Sequence, residues 1–254
     1  MVLKPNKLFD DVIIKKICSK IKLTDLQIQS AKEWISMLEK NQLKKEKESQ
    51  NYFETLILQE ILGYDGRDCK REKEFVDYTI EVAGSAKSLC IEVKGTKTTD
   101  LFAYQSYNTK DKENPILQTW TYMGNGYDYG ICTNYNNFVI LSKDVGTKKV
   151  HKFNFLSMKL TEDRINEDKL KEFIAFFSKK EIFTNNSIDN AINNSKLAEQ
   201  EFTDEFYKLF HETRLMLIKE FEQSSDVSRE TAIHWAQIFL NRLIFIYFVE
   251  DHNF

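Results

Sequence analysis

The segment Ile91-Glu92-Val93-Lys94-Gly95 sets a carboxylate and an amine two residues apart in a stretch that reads as a strand. Side chains alternate along a strand, so Glu92 and Lys94 share one face while Leu89, Ile91 and Val93 share the other. Upstream, the run from Phe75 to Val82 alternates as well, with Asp77, Thr79 and Glu81 opposite Val76, Tyr78 and Ile80. Gly84-Ser85 supplies the turn between them. An antiparallel hairpin turning at residues 84–86 puts Asp77 across from the Glu92–Lys94 step, on the same face. Two carboxylates gathered in a partly buried place repel unless a cation joins them. Mg²⁺ suits such a pair, because it takes one or two carboxylates and fills its remaining positions with water or phosphate oxygens. It would polarise a phosphodiester and acidify a water, with Lys94 orienting that water or neutralising the developing charge. The chemistry indicated is metal-assisted phosphodiester hydrolysis. A bare Glu-x-Lys on a strand is more often a surface ion pair; the register-matched Asp77 is what sets this one apart.

The elements around the hairpin are legible by period. Residues 24–62 read as helical: Thr24 or Asp25 caps the first turn, and Ile28, Ala31, Trp34, Ile35 and Leu38 repeat at three and four. The charged stretch 39–50 is either a break or a solvated face. A second apolar period, Phe53, Leu56, Ile57, Ile61 and Leu62, stops at Gly63. Pro115 opens a short helix over Ile116–Met123, on which Gln118 and Tyr122 stand one turn apart. A strand pair follows at Tyr129–Cys132 and Asn137–Ser142, turning through Thr133-Asn134-Tyr135-Asn136. From about 162 the pattern is helical: a stripe over Glu167–Phe177, an Asn/Ser-rich linker over 184–196, and long segments at 198–222 and 228–249.

Composition bounds the rest. The 254 residues hold 42% apolar and 13% aromatic side chains, enough for a substantial core, with too few Gly (8) and Pro (2) for a disordered or turn-rich chain. No run reaches the ~18 consecutive apolar residues of a membrane span, so on this count a transmembrane protein is ruled out. Residues 1–16 mix charge and apolarity and carry no signal-peptide core. Cys18, Cys69, Cys90 and Cys132 are scattered without metal spacing, as suits a reducing cytoplasm. His151, His211, His234 and His252 lack zinc spacing and are better taken as ordinary surface or core histidines. Residues 1–160 hold 25 Lys and Arg against 21 Asp and Glu; residues 161–254 hold 11 against 18. That asymmetry fits two bodies with different partners, or two solvated surfaces that differ by accident. Lys70, Arg71 and Lys73, Lys97, and Lys148, Lys149 and Lys152 could follow phosphates, though only Lys94 has a positional argument.

Asp77, the Glu92-Val93-Lys94 step, the Gln118-x-x-x-Tyr122 helix and the strand from Tyr129 to Asn134 together resemble the PD-(D/E)xK nuclease superfamily. Within it the chain is most similar to the amino-terminal endonuclease part of type IIG restriction-modification enzymes, which fuse nuclease and adenine methyltransferase. The stretch from Phe239 to Asp251 is similar to the helical connector that precedes the methyltransferase there. The resemblance spans nearly the whole chain, most specifically 46–142 and 236–251. It implies a restriction-endonuclease-like α/β fold, a mixed central sheet flanked by helices, over 1–160, with a helical connector over 161–254. It implies a type II site-specific deoxyribonuclease in which Asp77 and Glu92 hold Mg²⁺ (or Mn²⁺) and Lys94 assists the attacking water. Gln118 and Tyr122 would shape the site or touch the DNA backbone.

A helical glutamate often joins this site upstream of a Leu-Gly-Tyr step, here Leu62-Gly63-Tyr64; Glu46 fits best, with Glu48 and Glu54 competing. The proline that commonly precedes the first aspartate is replaced by Val76. The partners implied are double-stranded DNA, methyltransferase and specificity domains further along the same chain, and a transient second copy during cleavage. The chain carries no glycine-rich loop for S-adenosylmethionine and no phosphate-binding loop, so methylation and ATP use are not expected of this segment. The run Ile238 to Val249 is apolar on nearly all sides and calls for burial, which suggests the front portion of a longer polypeptide. Two rival readings stand beside this one: a nuclease-like module that binds without turnover, and the nuclease region of a type I restriction motor subunit. Replacing Asp77, Glu92 or Lys94 by Ala is expected to end cleavage with little change in folding.

Overall fold

The computed structural model describes residues 5–43, 46–73, 76–104, 114–225 and 227–251. Two compact units meet at Ser195 and Lys196, and each has its own core.

The first unit is built on a seven-stranded mixed sheet. Its strands are β1 (Asn6–Lys7), β2 (Cys69–Lys73), β3 (Val76–Glu81), β4 (Ser88–Val93), β5 (Tyr129–Thr133), β6 (Asn137–Ser142) and β7 (Gly146–Asn154), in the spatial order β1-β7-β6-β5-β4-β3-β2. The β4–β5 and β1–β7 pairs are parallel and the others antiparallel. A parallel pair needs a crossover, and here a helix, α4 (Pro115–Met123), lies between β4 and β5. Asn114 caps that helix, its Oδ1 accepting from Leu117 N at 2.8 Å, and Pro115 fills the first turn where no N–H is needed.

Helices cover both faces of the sheet. On one face Tyr78, Ile80, Leu89, Ile91, Val93, Ile131, Phe138 and Ile140 are buried in a cluster with residues of three helical segments. These are α2 (Asp25–Glu39), α3 (Glu46–Tyr52) with its continuation in wider π-type turns over Phe53–Ile61, and α5 (Glu167–Phe177). Trp34 ties this layer to the β5–β6 turn, its Nε1 donating to Tyr135 O at 2.9 Å. On the other face Cys90, Cys132, Val139, Leu141 and Val150 meet Ile116 and Met123 of α4 together with Leu101 and Phe102. An amino-terminal helix, α1 (Asp11–Cys18), packs beside α5 with none of its residues fully buried.

The seat of α4 depends on one glycine. A Cβ added at Gly130 of β5 would fall 2.7 Å from Met123 Sδ and 2.8 Å from Thr119 Cγ2. Met123 can swing away, but Thr119 is fully buried and its hydroxyl donates to Pro115 O at 2.9 Å, so the helix itself must shift. Gly130→Val is expected to destabilise the fold by roughly 1–3 kcal/mol through overpacking, with Gly130→Ala milder. Thermal unfolding checks this; an unchanged midpoint for the valine variant contradicts the close seat.

Three expectations need correction. Residues 184–196 are not a linker: a single helix, α6, runs Ser187–Ser225, and Ile188, Ala191 and Ile192 enter the core of the first unit. Asn and Ser are weak helix formers, but burial of an apolar face overrides propensity. The boundary also falls later than 160. Phe173, Phe176 and Phe177 of α5 are fully buried against the sheet, so the compact unit runs on to Ser195. Finally, α7 (Arg229–Asp251) is long and apolar enough over Arg229–Glu250 to cross a membrane by length and composition, with mean hydropathy 1.4. A count of consecutive apolar residues missed this because Gln237, Asn241 and Arg242 interrupt the run without greatly lowering its average.

The second unit contains the later turns of α6 and α7. Its small core is Ile218, Ala232 and Ala236, with Phe221 and Trp235 edge to face at 6.1 Å between ring centres.

Candidate active site

The hairpin of β3 and β4 forms in the register its turn dictates. Gly84 takes φ +82°, and Ser85 N donates to Val82 O at 3.0 Å. Tyr78 then pairs with Ile91, Thr79 with Cys90 and Ile80 with Leu89. Asp77 directly precedes Tyr78, and Glu92 directly follows Ile91, at the end of that paired run. The Asp77 carboxylate also grips the partner strand, its Oδ2 accepting from Val93 N at 2.7 Å. Beyond the last residue of β4, Lys94 N donates to Thr133 O at 2.7 Å, which keeps Lys94 in line with the strand. Its ammonium meets Glu92 Oε1 in an ion pair. Glu92 is only 3% exposed, so this is a carboxylate held almost wholly inside the protein.

The charges couple across the site. Burial pulls the Lys94 ammonium down, but the adjoining Glu92 carboxylate, and then Asp77, more than offset it and hold Lys94 above its ordinary value of 10.5. Cys132, paired with Glu92 across β4–β5, lies in the same field; burial above all pushes its thiol up to about 12. From α4, Gln118 Nε2 donates to Tyr122 Oη at 2.7 Å. Burial raises the Tyr122 phenol, the Gln118 hydrogen bond opposes that, and the charges of Glu92, Lys94 and Asp77 all act on it. Asp77, Glu92 and Lys94 are thus brought together, and α4, which packs on β4, carries Tyr122 within reach of their charges.

A hard divalent cation with few protein ligands suits this donor set. The site offers two carboxylates, and among the described residues no group of three or more His, Cys, Asp or Glu is arranged to hold a metal. Glu54, one of three candidates for a supporting carboxylate, is engaged elsewhere: it pairs with Arg71 and acts on Tyr78, whose side chain belongs to the opposite face of the sheet. The side chains of Glu46 and Glu48 lie outside the described residues. So does that of Lys73. The loop before α3 is nonetheless tied to the segment after Lys94, Thr96 Oγ1 donating to Leu43 O at 3.0 Å.

The other flagged residues disperse. Lys70 pairs with Glu81 at 2.7 Å, and Lys97 is exposed. Lys152 Nζ lies 4.1 Å above the Phe102 ring. His151 is buried among Phe9, Phe176 and Phe177, His211 and His234 sit on α6 and α7, and His252 lies outside the described residues. The four cysteines are free thiols, each pushed up to about 12 chiefly by burial. Sequence reasoning missed one row on the site-bearing face: Glu92 pairs with Cys132, Cys132 with Val139, and Val139 with Lys152. The β4, β5 and β6 parts of that row were visible as strands; β7 was not.

Compared with protein-family models, with characterised proteins and with solved structures, the chain matches none.

Proposed function

We propose that this chain is a Mg²⁺-dependent DNA endonuclease of the PD-(D/E)xK kind, the restriction part of a cytoplasmic type II restriction-modification enzyme of the fused nuclease–methyltransferase sort. The observation that carries the reading is the hairpin, which fixes the Asp77 carboxylate to Val93 N of the strand bearing the buried Glu92 and pairs Glu92 with Lys94, with Tyr122 of the Gln118–Tyr122 pair in the field of these charges. Asp77 and Glu92 would hold the metal, which when bound supplies Lewis-acid polarisation of a phosphodiester oxygen and an acidified water. Lys94, charged at neutral pH, is placed to orient the attacking water and to balance the charge that builds on the phosphate. The amide of Gln118 and the phenol of Tyr122 offer polar groups to the nucleic-acid backbone just above.

Asp77→Asn keeps the shape of the side chain and an oxygen for the Val93 N–H while removing the charge. It should lower Mg²⁺-dependent nicking of supercoiled plasmid by at least about 100-fold with circular dichroism unchanged. Nicking at the unsubstituted rate removes Asp77 from the mechanism. One observation favours a second reading, a nuclease-like binding module: Glu92 already has a cation, Lys94, as its neighbour. Calorimetric titration with Mn²⁺ separates the two, because the binding module gives no heat that depends on Asp77 and Glu92.

A further inference from the structure

We infer that a second pocket on the site-bearing face receives an unpaired nucleobase of the nucleic acid being cut; this rests on the nuclease reading above and names a preferred substrate form for it. The row Glu92–Cys132–Val139–Lys152 crosses β4, β5, β6 and β7 in register. Neighbouring strands lie about 4.8 Å apart, so the Lys152 backbone stands about 14 Å from that of Glu92. That is the rise of roughly four stacked nucleotides at about 3.4 Å each. Between the two ends the sheet is roofed by α4, which closes over Cys132, and by Phe102.

At the Lys152 end the face opens into a cavity of about 360 Å³, within the size range of small-molecule sites. Its floor is apolar: Phe102 and Val139, both of the cluster on this face, are each at most 8% exposed. Its rim is polar and held in place. Asn154 Nδ2 donates to Asn137 Oδ1 at 2.8 Å, and Asn154 Oδ1 in turn accepts from Ser157 N at 2.9 Å. With its oxygen so engaged, Asn137 presents its NH₂ as a donor. Asp100 caps the next turn, its Oδ1 accepting from Phe102 N at 2.8 Å, and keeps Oδ2 as an acceptor.

An apolar floor of Phe102 and Val139 with one donor and one acceptor at its rim complements a nucleobase, which offers a π-face and a mixed donor–acceptor edge. The Lys152 ammonium, held over the Phe102 ring, supplies the cation that the attached phosphate needs. A base still paired inside a duplex cannot lay its face on the floor of a cavity, so the ligand is a base that is extruded, bulged or in a single strand. A general phosphate-tracking surface would need only the lysine; the walls and the fixed amides are what point to the base.

The test uses the whole 254-residue chain with Ca²⁺ in place of Mg²⁺ to suppress cleavage, and fluorescence anisotropy of two labelled duplexes. One is fully paired and the other carries a single unpaired base. The bulged duplex is expected to bind at least about tenfold more tightly, the effect of one stacked base. Asn137→Ala and Phe102→Ala should erase that difference while leaving affinity for the paired duplex as it was. Asn137 is a rim residue whose replacement spares the core, so the test stands even where Phe102→Ala fails to fold. Equal affinity for both duplexes overturns the pocket and leaves the nuclease reading intact. A chain that binds neither duplex overturns both. A preference for the bulge that survives Asn137→Ala and Phe102→Ala assigns the base to another place and overturns the pocket.

Discussion

Lys94→Ala is expected to lower Mg²⁺-dependent strand cleavage by on the order of 10³-fold and, in the absence of divalent cation, to destabilise the fold by roughly 3–5 kcal/mol. The second effect follows from burial. Glu92 is 3% exposed and Lys94 is the cation beside it, with the Lys94 side chain itself only 20% exposed. The two charges sustain each other: desolvation alone would pull the ammonium down, yet the Glu92 carboxylate and then Asp77 hold it above 10.5. Removing the amine takes the ammonium away from the buried Glu92 carboxylate, and loss of one member of a buried ion pair is the costly change. Cleavage would then fail for want of a group at the water, and folding would come to depend on a metal.

The sequence alone suggested that substitutions at these positions would spare folding; the burial of Glu92 changes that for Lys94. Melting in chelator and in millimolar Mg²⁺ is the measurement. The variant should melt roughly 6–20 °C below the unsubstituted chain in chelator and recover most of the gap in Mg²⁺. Glu92→Gln should show no such metal rescue, because it removes the buried charge itself. A Lys94→Ala variant that melts like the parent in chelator would show that the Glu92–Lys94 contact does not neutralise the site.

The strand-borne part of the site was legible because it is local. Asp77, Glu92 and Lys94 are joined by one hairpin, and a hairpin register is fixed by its turn and by the alternation of its two strands. Asn114-Pro115 likewise announced α4, and with it the one-turn spacing of Gln118 and Tyr122. What stayed hidden depended on longer connections or on charged strands. Strand β2 reads Cys-Lys-Arg-Glu-Lys and β7 carries Lys148, Lys149 and Lys152, so neither shows a plain apolar alternation. Both lie toward the margins of the sheet, where charge is tolerated and guards against edge pairing. The row from Glu92 to Lys152 needs three registers at once, one of them set by a parallel crossover, and no local pattern encodes that. The start of α6 was hidden by composition: its Asn and Ser residues resemble a linker, while only packing reveals that Ile188, Ala191 and Ile192 share a buried face.

His151→Phe is expected to remove an acid-sensitive share of the stability of the first unit. The imidazole is 6% exposed, its ring centre 4.9 Å from that of Phe176 and 5.1 Å from that of Phe9, and its Nε2 has no hydrogen-bond partner among the described residues. Glu172 Oε1 comes within 3.4 Å without aligning. Burial holds the ring neutral and lowers its pKa from 6.5 to about 4, with Lys7 acting in the same direction and Asp11 against it. Above pH 6.5 the folded and unfolded chains are both neutral at this position and nothing depends on pH. Between 6.5 and 4 the unfolded chain takes up a proton that the folded chain refuses, so stability falls as pH falls. By pH 4.5 the loss amounts to roughly 2–3 kcal/mol.

Glu172 works in the opposite sense. Burial raises its carboxyl above 4.5, so it gains its proton first in the folded state and returns some stability on acidification. Every other carboxylate also contributes to the acid limb, so the quantity to read is the difference between two proteins. Urea unfolding at pH 7 and at pH 4.5, for the unsubstituted chain and for His151→Phe, isolates it. The variant should lose roughly 2–3 kcal/mol less over that interval, because a phenyl ring among Phe9, Phe176 and Phe177 has no proton to accept. Equal losses in the two proteins would mean that the imidazole is already protonated, or reaches water, in the folded state, and that the aromatic enclosure around it is not closed.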